Sequence, residues 1–332
     1  MHNSPNKIKY IADIVLDAYG TSYDNTFLIF KSSQNIYHLI YSNLEKSIIS
    51  YNLINSKKFQ IITEIKKAHE DYIDNFRYSF DSKNKRDLVL SLSSGDNDIK
   101  IWNLKNWECI FNINDIYQFG SILSACFLID ENLNYNYIIA CNFFLYNIKA
   151  IDISGNKDKN KEIENNINTN IFIDKYYDIN QSKYYIIIGN NSNVSSFDFD
   201  KGSLYHTYEM INSANHKSVV IYPDNKNNLV KLFFQCKEGF ILIFNFHSGD
   251  LIDKISCEND CLIGLCLWDE NFIFSGGKNK SLKLIDINKR EIIKKYHEHK
   301  QWICSIKAIK HEKLGQILIT HGLDNKIKLW GI

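Results

Sequence analysis

The sequence predicts an all-β fold built from seven repeated four-stranded antiparallel sheets. Three observations support this prediction: a hairpin pattern recurs along the chain, its copies follow one another at a nearly constant interval, and strand-forming residues are abundant. Aromatic residues make up 14% of the 332 residues, with 20 Tyr and 20 Phe, and such residues favour strands over helices. The hydrophobic fraction of 45% provides enough apolar surface for a large core.

The clearest copy of the hairpin is QILITHGLDNKIKLWGI, residues 316–332. A β-rich run leads into a turn that contains Asp324, and a second run with alternating faces ends at Trp330. The segment LVLSLSSGDNDIKIWNL repeats this pattern, and there Asp96 precedes Trp102 by six residues, as Asp324 precedes Trp330. Two copies with the same spacing indicate a repeat.

Looser copies occur where the final Trp is replaced by another large apolar residue that is followed by Asn or Asp. The seven anchor residues are Tyr51, Trp102, Ile151, Phe197, Phe244, Ile285 and Trp330. Successive anchors lie 51, 49, 46, 47, 41 and 45 residues apart. These intervals are close to the roughly 40 to 45 residues that four short strands and their turns require. Seven such units leave no room for a second domain, so we expect one domain at 7–332 after a disordered segment at 1–6.

A four-stranded unit of this kind has apolar residues on both faces, so it must stack against neighbouring units around a common axis. Seven stacked units predict a seven-bladed β-propeller. The last unit lacks an outer strand, whereas KIKYIAD, residues 7–13, is predicted to be a lone strand. We therefore expect residues 7–13 to pair beside residues 327–330 and to close the ring, because this pairing removes an open sheet edge.

The order of strands is predicted clearly in most units and poorly in one. In the second unit we expect strands at 72–80, 88–93, 99–104 and 109–113. The third unit is the least regular, because its tail at 154–170, SGNKDKNKEIENNINTN, is polar and charged. That composition predicts a mobile loop with at most a poor outer strand.

Seven units with these hairpins resemble the WD-repeat β-propeller family, and the resemblance covers nearly the whole chain. It is most specific at 322–330 and 95–102. In that family an entry-loop His, a Ser or Thr on the second strand, an Asp in the hairpin turn and the Trp of the third strand form a buried hydrogen-bonded tetrad. The resemblance implies a complete tetrad in the seventh unit, formed by His299, Thr320, Asp324 and Trp330.

The resemblance also implies a network in the second unit, and three of its members match: His69, Asp96 and Trp102. Leu92 stands where the hydroxyl is expected, so this network is either shortened or uses Ser91 or Ser93. In the fifth unit only His216 matches the tetrad, and in the sixth only Ser275, so these units rely mostly on packing.

A His–Asp pair beside a hydroxyl could also be interpreted as a catalytic triad. No nucleophile elbow of the form G-x-S-x-G accompanies either pair, so we expect the protein not to be an enzyme.

No metal or cofactor site is predicted from the sequence. His297 and His299 alternate on a strand-like run and could point the same way, but a third ligand is not near them in sequence. Cys257, Cys261 and Cys266 lack the paired spacing of a zinc site. The sequence contains no phosphate loop, Rossmann fingerprint or calcium loop.

Charge and cysteine usage restrict the partners and the compartment. The net charge of +1 gives no global field for nucleic acid or an acidic membrane surface, so we expect no nucleic-acid partner. The eight cysteines form no C-x-x-C pair and no apolar targeting core precedes them, which favours reduced thiols in the cytoplasm or the nucleus. No apolar run approaches the ~20 residues that a membrane helix needs, so we expect no membrane insertion.

The resemblance further implies that partner proteins or peptides bind where the entry loops meet the central channel. Tyr72 and Trp302 each lie three residues past an entry His, and large aromatics at such a rim suit binding hot spots. Half-buried aromatics with a purely structural role are an equally good interpretation. We predict that Asp71, Tyr72, Gln301 and Trp302 contribute to a partner site on a non-catalytic scaffold, a monomeric propeller within a protein complex.

Two alternatives remain open at this point. One is a propeller enzyme or small-ligand binder that uses the channel, which inward-facing charged residues would support. The other is phosphoinositide recognition at membranes. Related propellers with that function carry adjacent arginines, whereas the three arginines of this chain, Arg77, Arg86 and Arg290, are never adjacent.

Overall fold

In the computed structural model, the described residues form seven four-stranded antiparallel sheets, arranged as the blades of a ring. The described residues are 8–15, 27–55, 58–114, 116, 121–142, 147–164, 172–189, 193–209, 219–236, 238–258 and 262–331. This architecture confirms the predicted seven-bladed β-propeller. The segment predicted to be disordered, 1–6, lies outside the described residues.

The first three blades follow the chain in order from the inner to the outer strand. Blade 1 contains β2 (Phe27–Lys31), β3 (Tyr37–Ser42), β4 (Ile48–Asn55) and β5 (Lys58–Ile65). Blade 2 contains β6 (Asn75–Asp81), β7 (Arg86–Ser93), β8 (Asp98–Asn103) and β9 (Glu108–Asn114). Blade 3 contains β10 (Ile122–Asp130), β11 (Tyr135–Asn142), β12 (Asn147–Asp152) and β13 (Lys161–Glu164).

The next three blades repeat this order. Blade 4 contains β14 (Phe172–Asp178), β15 (Lys183–Gly189), β16 (Asn193–Asp198) and β17 (Ser203–Glu209). Blade 5 contains β18 (Val220–Asp224), β19 (Leu229–Gln235), β20 (Phe240–Asn245) and β21 (Leu251–Ser256). Blade 6 contains β22 (Leu262–Leu267), β23 (Phe272–Gly277), β24 (Leu282–Asp286) and β25 (Glu291–Tyr296).

Blade 7 combines the two ends of the described chain. Its first three strands are β26 (Ile303–His311), β27 (Gly315–Gly322) and β28 (Lys326–Gly331), and its outer strand is β1 (Lys9–Val15). Strand β1 runs antiparallel to β28, with Tyr10 opposite Trp330 and Ile14 opposite Ile327. The predicted pairing of the first strand beside 327–330 is confirmed, although the strand begins two residues later than expected.

Seven apolar clusters hold the ring together, one between each pair of neighbouring blades. The cluster between blades 1 and 7 buries Phe27 and Leu39 against Ile319 and Leu329, so the last blade packs on the first. Because each sheet has two apolar faces, neither face is covered until a neighbouring blade is in place. Burial therefore requires the whole ring.

The seven anchors found in the sequence mark one structural position. In six blades a β-bulge interrupts the pairing with the outer strand just before the anchor, at Tyr51, Trp102, Phe197, Phe244, Ile285 and Trp330. The exception is Ile151, because the four-residue strand β13 pairs only as far as Ala150. A bulge bends the strand locally and increases its twist.

The irregular third unit has a short outer strand, as predicted. A 3₁₀ turn at Lys157–Lys159 precedes β13, and residues 165–170 of the predicted mobile loop lie outside the described residues.

The predicted start of the first strand of blade 2 was wrong. The first strand of blade 2 begins at Asn75 and not at Tyr72, because the backbone N–H groups of Glu70 and Asp71 turn toward the Asp96 carboxylate, which keeps Tyr72 in the entry loop.

Two further findings concern cysteines and helices. The cysteines within the described residues are free thiols, and most are buried. Burial raises the pKa of the Cys126 and Cys141 thiols to about 12, which disfavours the reactive thiolate.

In the described part of the chain, no helix has the length and apolar character needed to cross a membrane.

Candidate functional site: the entry-loop face

One face of the ring carries the loops that enter each blade and the turns between second and third strands. On this face the predicted tetrad of blade 7 is assembled. His299 Nδ1 lies 3.0 and 3.1 Å from the two carboxylate oxygens of Asp324, and Nε2 lies 2.7 Å from Thr320 Oγ1. Trp330 Nε1 donates to the same hydroxyl at 2.9 Å. Thr320 and Trp330 are completely buried.

These contacts fix the protons of the blade 7 network. The Thr320 hydroxyl accepts from Trp330 and donates to His299 Nε2, so Nδ1 carries the ring proton and donates to Asp324. Burial acts to raise the pKa of the Asp324 carboxyl, but hydrogen bonds from His299 and the Lys300 backbone N–H outweigh burial and lower it. Every polar atom of the tetrad is thereby paired, as buried polar groups require.

Blade 2 contains the same network with a different hydroxyl. His69 Nε2 lies 2.8 Å from Ser91 Oγ, which also accepts from Trp102 Nε1 at 2.8 Å. His69 Nδ1 is 3.3 Å from Asp96 Oδ2. Of the alternatives left open by the sequence, the structure selects Ser91.

The length of the hairpin turn explains the shift to Ser91. The closing pair of the turn is Ser93 with Asp98 in blade 2, and Gly322 with Lys326 in blade 7, so the blade 2 turn holds one more residue. The extra residue precedes Asp96. As a result, the residue equivalent to Thr320 in the hairpin pairing is Ser91 and not Leu92. Ser91 lies opposite Lys100, as Thr320 lies opposite Lys328.

Glycines let the entry loop approach each turn. A Cβ on Gly322 would lie 2.5 Å from His299 Nδ1, and a Cβ on Gly95 would lie 1.9 Å from the Asp71 carboxylate. A larger residue at either position would clash with these side chains, so one of the two would have to shift.

The partial match in blade 6 does not form this network among the described residues. Ser275 occupies the position of Thr320 in blade 6, but its buried Oγ has no hydrogen-bond partner among the described residues. Asn279 instead accepts from the backbone N–H of Ser281 at 3.1 Å. His216 lies outside the described residues. Blade 6 is held by its apolar clusters with blades 5 and 7.

The two predicted rim aromatics have equivalent surroundings. The Nζ of Lys46, from the hairpin turn of blade 1, lies 5.8 Å from the ring centroid of Tyr72 in blade 2. The Nζ of Lys278, from the corresponding turn of blade 6, lies 4.4 Å from the ring centroid of Trp302 in blade 7. Both rings are half-buried, and cation–π contacts of this kind are worth roughly 0.5–2 kcal/mol.

The other two predicted partner-site residues differ in exposure. Gln301 is exposed. Asp71 is half-buried, and its carboxylate accepts from the Tyr72 backbone N–H at 2.8 Å. The predicted site therefore falls on two entry loops, in blades 2 and 7, and blade 1 lies between them in the ring.

The inner strands line a central cavity of about 440 Å³. Most of its lining is apolar, but three charged side chains from three different blades reach it: Arg77, Asp174 and Lys307. The cavity therefore offers two positive groups and one negative group inside an apolar wall.

A repeated lysine was missed from the sequence, although its constant spacing could have revealed it. Four blades carry a lysine two residues before the anchor: Lys100, Lys149, Lys283 and Lys328. In the first three, Nζ donates to a backbone carbonyl of the loop that enters the blade, namely Ala68 at 2.8 Å, Ile116 at 3.0 Å and Cys257 at 2.7 Å. These lysines tie the entry loop to the hairpin.

Fold and networks together define a seven-bladed β-propeller with two buried His–Asp networks beneath one face. Comparison with known proteins adds no family: neither a protein-family model nor a curated protein matches the chain.

Proposed function

We propose that the protein is a non-catalytic scaffold of the WD-repeat type, which binds protein or peptide partners through its entry-loop face. The observation that carries the proposal is the equivalent placement of Tyr72 and Trp302. Each aromatic lies on an entry loop whose histidine is fixed by a buried network, and each keeps part of its ring accessible. Rigid, partly exposed aromatics are the side chains that dominate binding energy at protein interfaces.

The two complete networks support the WD-repeat assignment, and their burial supports the absence of catalysis. A nucleophile must reach a substrate, whereas Thr320 and Ser91 are 0% exposed and already accept from a tryptophan. The proposal keeps the cytoplasmic or nuclear location that the cysteine usage favours.

The test is affinity purification from the native cell followed by mass spectrometry, with a Tyr72→Ala/Trp302→Ala double variant beside the wild type. We expect the variant to lose partners that the wild type retains. A Phe80→Ala/Tyr177→Ala double variant is the matched control, because these aromatics are 41% and 37% exposed on strand ends at the opposite face. Retention of every partner by the Tyr72/Trp302 variant would contradict the proposal.

A second candidate function is the binding of a small anionic ligand in the central cavity, which Arg77 and Lys307 in its lining favour. Thermal-shift screening with small carboxylates and phosphates tests it. A stabilising compound whose effect disappears in Arg77→Ala would move the functional site from the face to the channel.

Phosphoinositide recognition receives less support from the arginines. Arg86 Nε donates to Asp81 and Arg290 Nε donates to Asp253, both at 2.8 Å, so each guanidinium is already paired with a carboxylate. Sedimentation with phosphoinositide liposomes tests this alternative directly.

A further inference from the structure

Besides the hydroxyl and the length of the turn, the networks of blades 2 and 7 differ in one neighbouring residue. Four residues before the anchor Trp, blade 7 has Lys326 and blade 2 has Asp98. Lys326 turns outward to the Asp13 carboxylate of β1, at 2.7 Å. Asp98 is 8% exposed and lies beside the His69–Asp96 pair. Blade 2 therefore has two carboxylates beside its histidine, whereas blade 7 has one.

Two carboxylate oxygens in blade 2, Asp96 Oδ1 and Asp98 Oδ1, are buried and have no well-formed hydrogen bond among the described residues. The nearest donor to the Asp96 carboxyl besides His69 and the loop backbone is the Ser93 hydroxyl, which helps to lower the pKa of Asp96. In blade 7 both oxygens of Asp324 lie within hydrogen-bond distance of His299. A buried acceptor without a partner loses its hydration and gains nothing in return, so these oxygens are free to accept from a water molecule or to bind a cation.

The two carboxylates lie close to a histidine nitrogen. One ligand atom each from His69, Asp96 and Asp98 lies within 4.8 Å of the others. His69 Nδ1 and Asp96 Oδ2 are 3.3 Å apart, which is about the separation of two ligands on a tetrahedral ion with bonds of ~2.0 Å. Nitrogen and carboxylate ligands in sets of three, with water in the fourth place, are a common zinc arrangement.

Charged groups around the cluster are mainly acidic. Asp74 is close enough to Asp71 and Asp96 for their charges to raise its pKa further, beyond the effect of burial. The opposing cation is Lys100, whose Nζ lies 3.5 Å from Asp98 Oδ2 and donates to Ala68 O. One lysine thus faces several carboxylates, and an added cation would reduce their mutual repulsion.

We propose that His69, Asp96 and Asp98 form a binding site for a divalent transition-metal cation of the zinc class. In the loaded site His69 Nδ1 is the ligand, so the ring proton lies on Nε2 and is donated to Ser91 Oγ. Ser91 has two lone pairs, and it accepts from His69 and Trp102 together. This arrangement gives the metal-bound histidine the second hydrogen bond that such ligands require. The cation would also fix the entry loop that carries Tyr72.

The test is isothermal titration of the full-length chain, stripped with EDTA, with zinc chloride and separately with manganese chloride. We expect one equivalent of metal to bind the wild type and to raise its melting temperature. Asp98→Asn should weaken this binding by at least the ~10- to 100-fold that loss of an outer-shell partner costs. Asp71→Asn is the matched control, because it removes a nearby carboxylate that is not a ligand.

Asp98→Lys provides a second variant in case Asp98→Asn folds poorly, since lysine is the residue that blade 7 tolerates at this position. It should keep the circular dichroism spectrum of the wild type and lose the metal. Cobalt absorption of the wild type gives a readout that needs no variant, and a tetrahedral spectrum is expected. Absence of metal binding in the wild type, or equal binding by the wild type and both Asp98 variants, would overturn the proposal.

Discussion

Individual residues carry the two His–Asp networks, and their roles follow from burial. His69, His299 and the two tryptophans are almost entirely removed from water, so each polar atom must find its partner inside the protein. The sequence predicted the blade 7 residues in full, because the turn there has the spacing of the family resemblance. The sequence did not decide which hydroxyl completes the blade 2 network. A single inserted turn residue changes which side chain points inward, and no local sequence pattern indicates that insertion.

Trp330→Ala should destabilise the protein by roughly 3–5 kcal/mol, because it removes a large, completely buried ring and leaves a cavity. Chemical denaturation of the purified protein measures the free energy of unfolding. Phe80→Ala, at a 41% exposed position, should change it by less than ~0.5 kcal/mol. Equal losses for the two variants would remove Trp330 from the core.

Ser91→Ala should cost about 1–3 kcal/mol, because it leaves His69 Nε2 and Trp102 Nε1 buried without their shared partner. Ser275→Ala is the matched control: Ser275 occupies the equivalent position in blade 6, but its Oγ bonds to none of the described residues. We expect thermal melts to separate the two variants. If Ser275→Ala lowered the melting temperature as much as Ser91→Ala does, the hydrogen bonds of the Ser91 hydroxyl would not explain its contribution to stability.

At the scale of strands, the sequence located the repeated elements better than their ends. Each anchor was found as a large apolar residue before a polar one, and the bulge at six of these positions explains why. The start of β6 was misplaced, since Tyr72 has a strand-like neighbourhood in sequence but Asp96 draws the preceding backbone into a loop. Long-range contacts of this kind have no sequence signature.

The pairing of β1 with β28 should depend on pH through Asp13. Its carboxylate accepts from Lys326 Nζ at 2.7 Å and from Lys328 Nζ at 2.8 Å. Burial acts to raise the pKa of Asp13, but these hydrogen bonds and the one from Tyr10 outweigh burial and lower it well below the usual 3.8. A carboxyl whose pKa is lower in the folded state stabilises the fold fully above its unfolded pKa.

That contribution should therefore be lost as the pH falls below about 4, the pKa of an unfolded Asp, toward the lower folded value. Asp13→Asn should reduce stability at pH 7 and flatten its decline in acid. Urea denaturation of both proteins between pH 7 and pH 3 measures the difference. Parallel pH profiles would mean that Asp13 does not hold the outer strand of blade 7.

For the whole molecule, seven interfaces between neighbouring blades make the ring a rigid frame whose faces present loops. The number of blades and the joining of the two chain ends were predictable, because both follow from counting units that cannot bury their faces alone. The charges in the central cavity were not predictable, because they bring together residues from distant positions in the chain. Rigid frames of this kind are suited to recognition.

Cross-linking mass spectrometry of the native complex tests the scaffold proposal most directly. Lysines mark both faces: Lys46, Lys278 and Lys300 lie on the entry-loop face, and Lys83, Lys226 and Lys313 lie in turns of the opposite face. We predict that cross-links to partner proteins concentrate on the first three and that Tyr72→Ala/Trp302→Ala removes them. Partner cross-links confined to the opposite face would contradict the account.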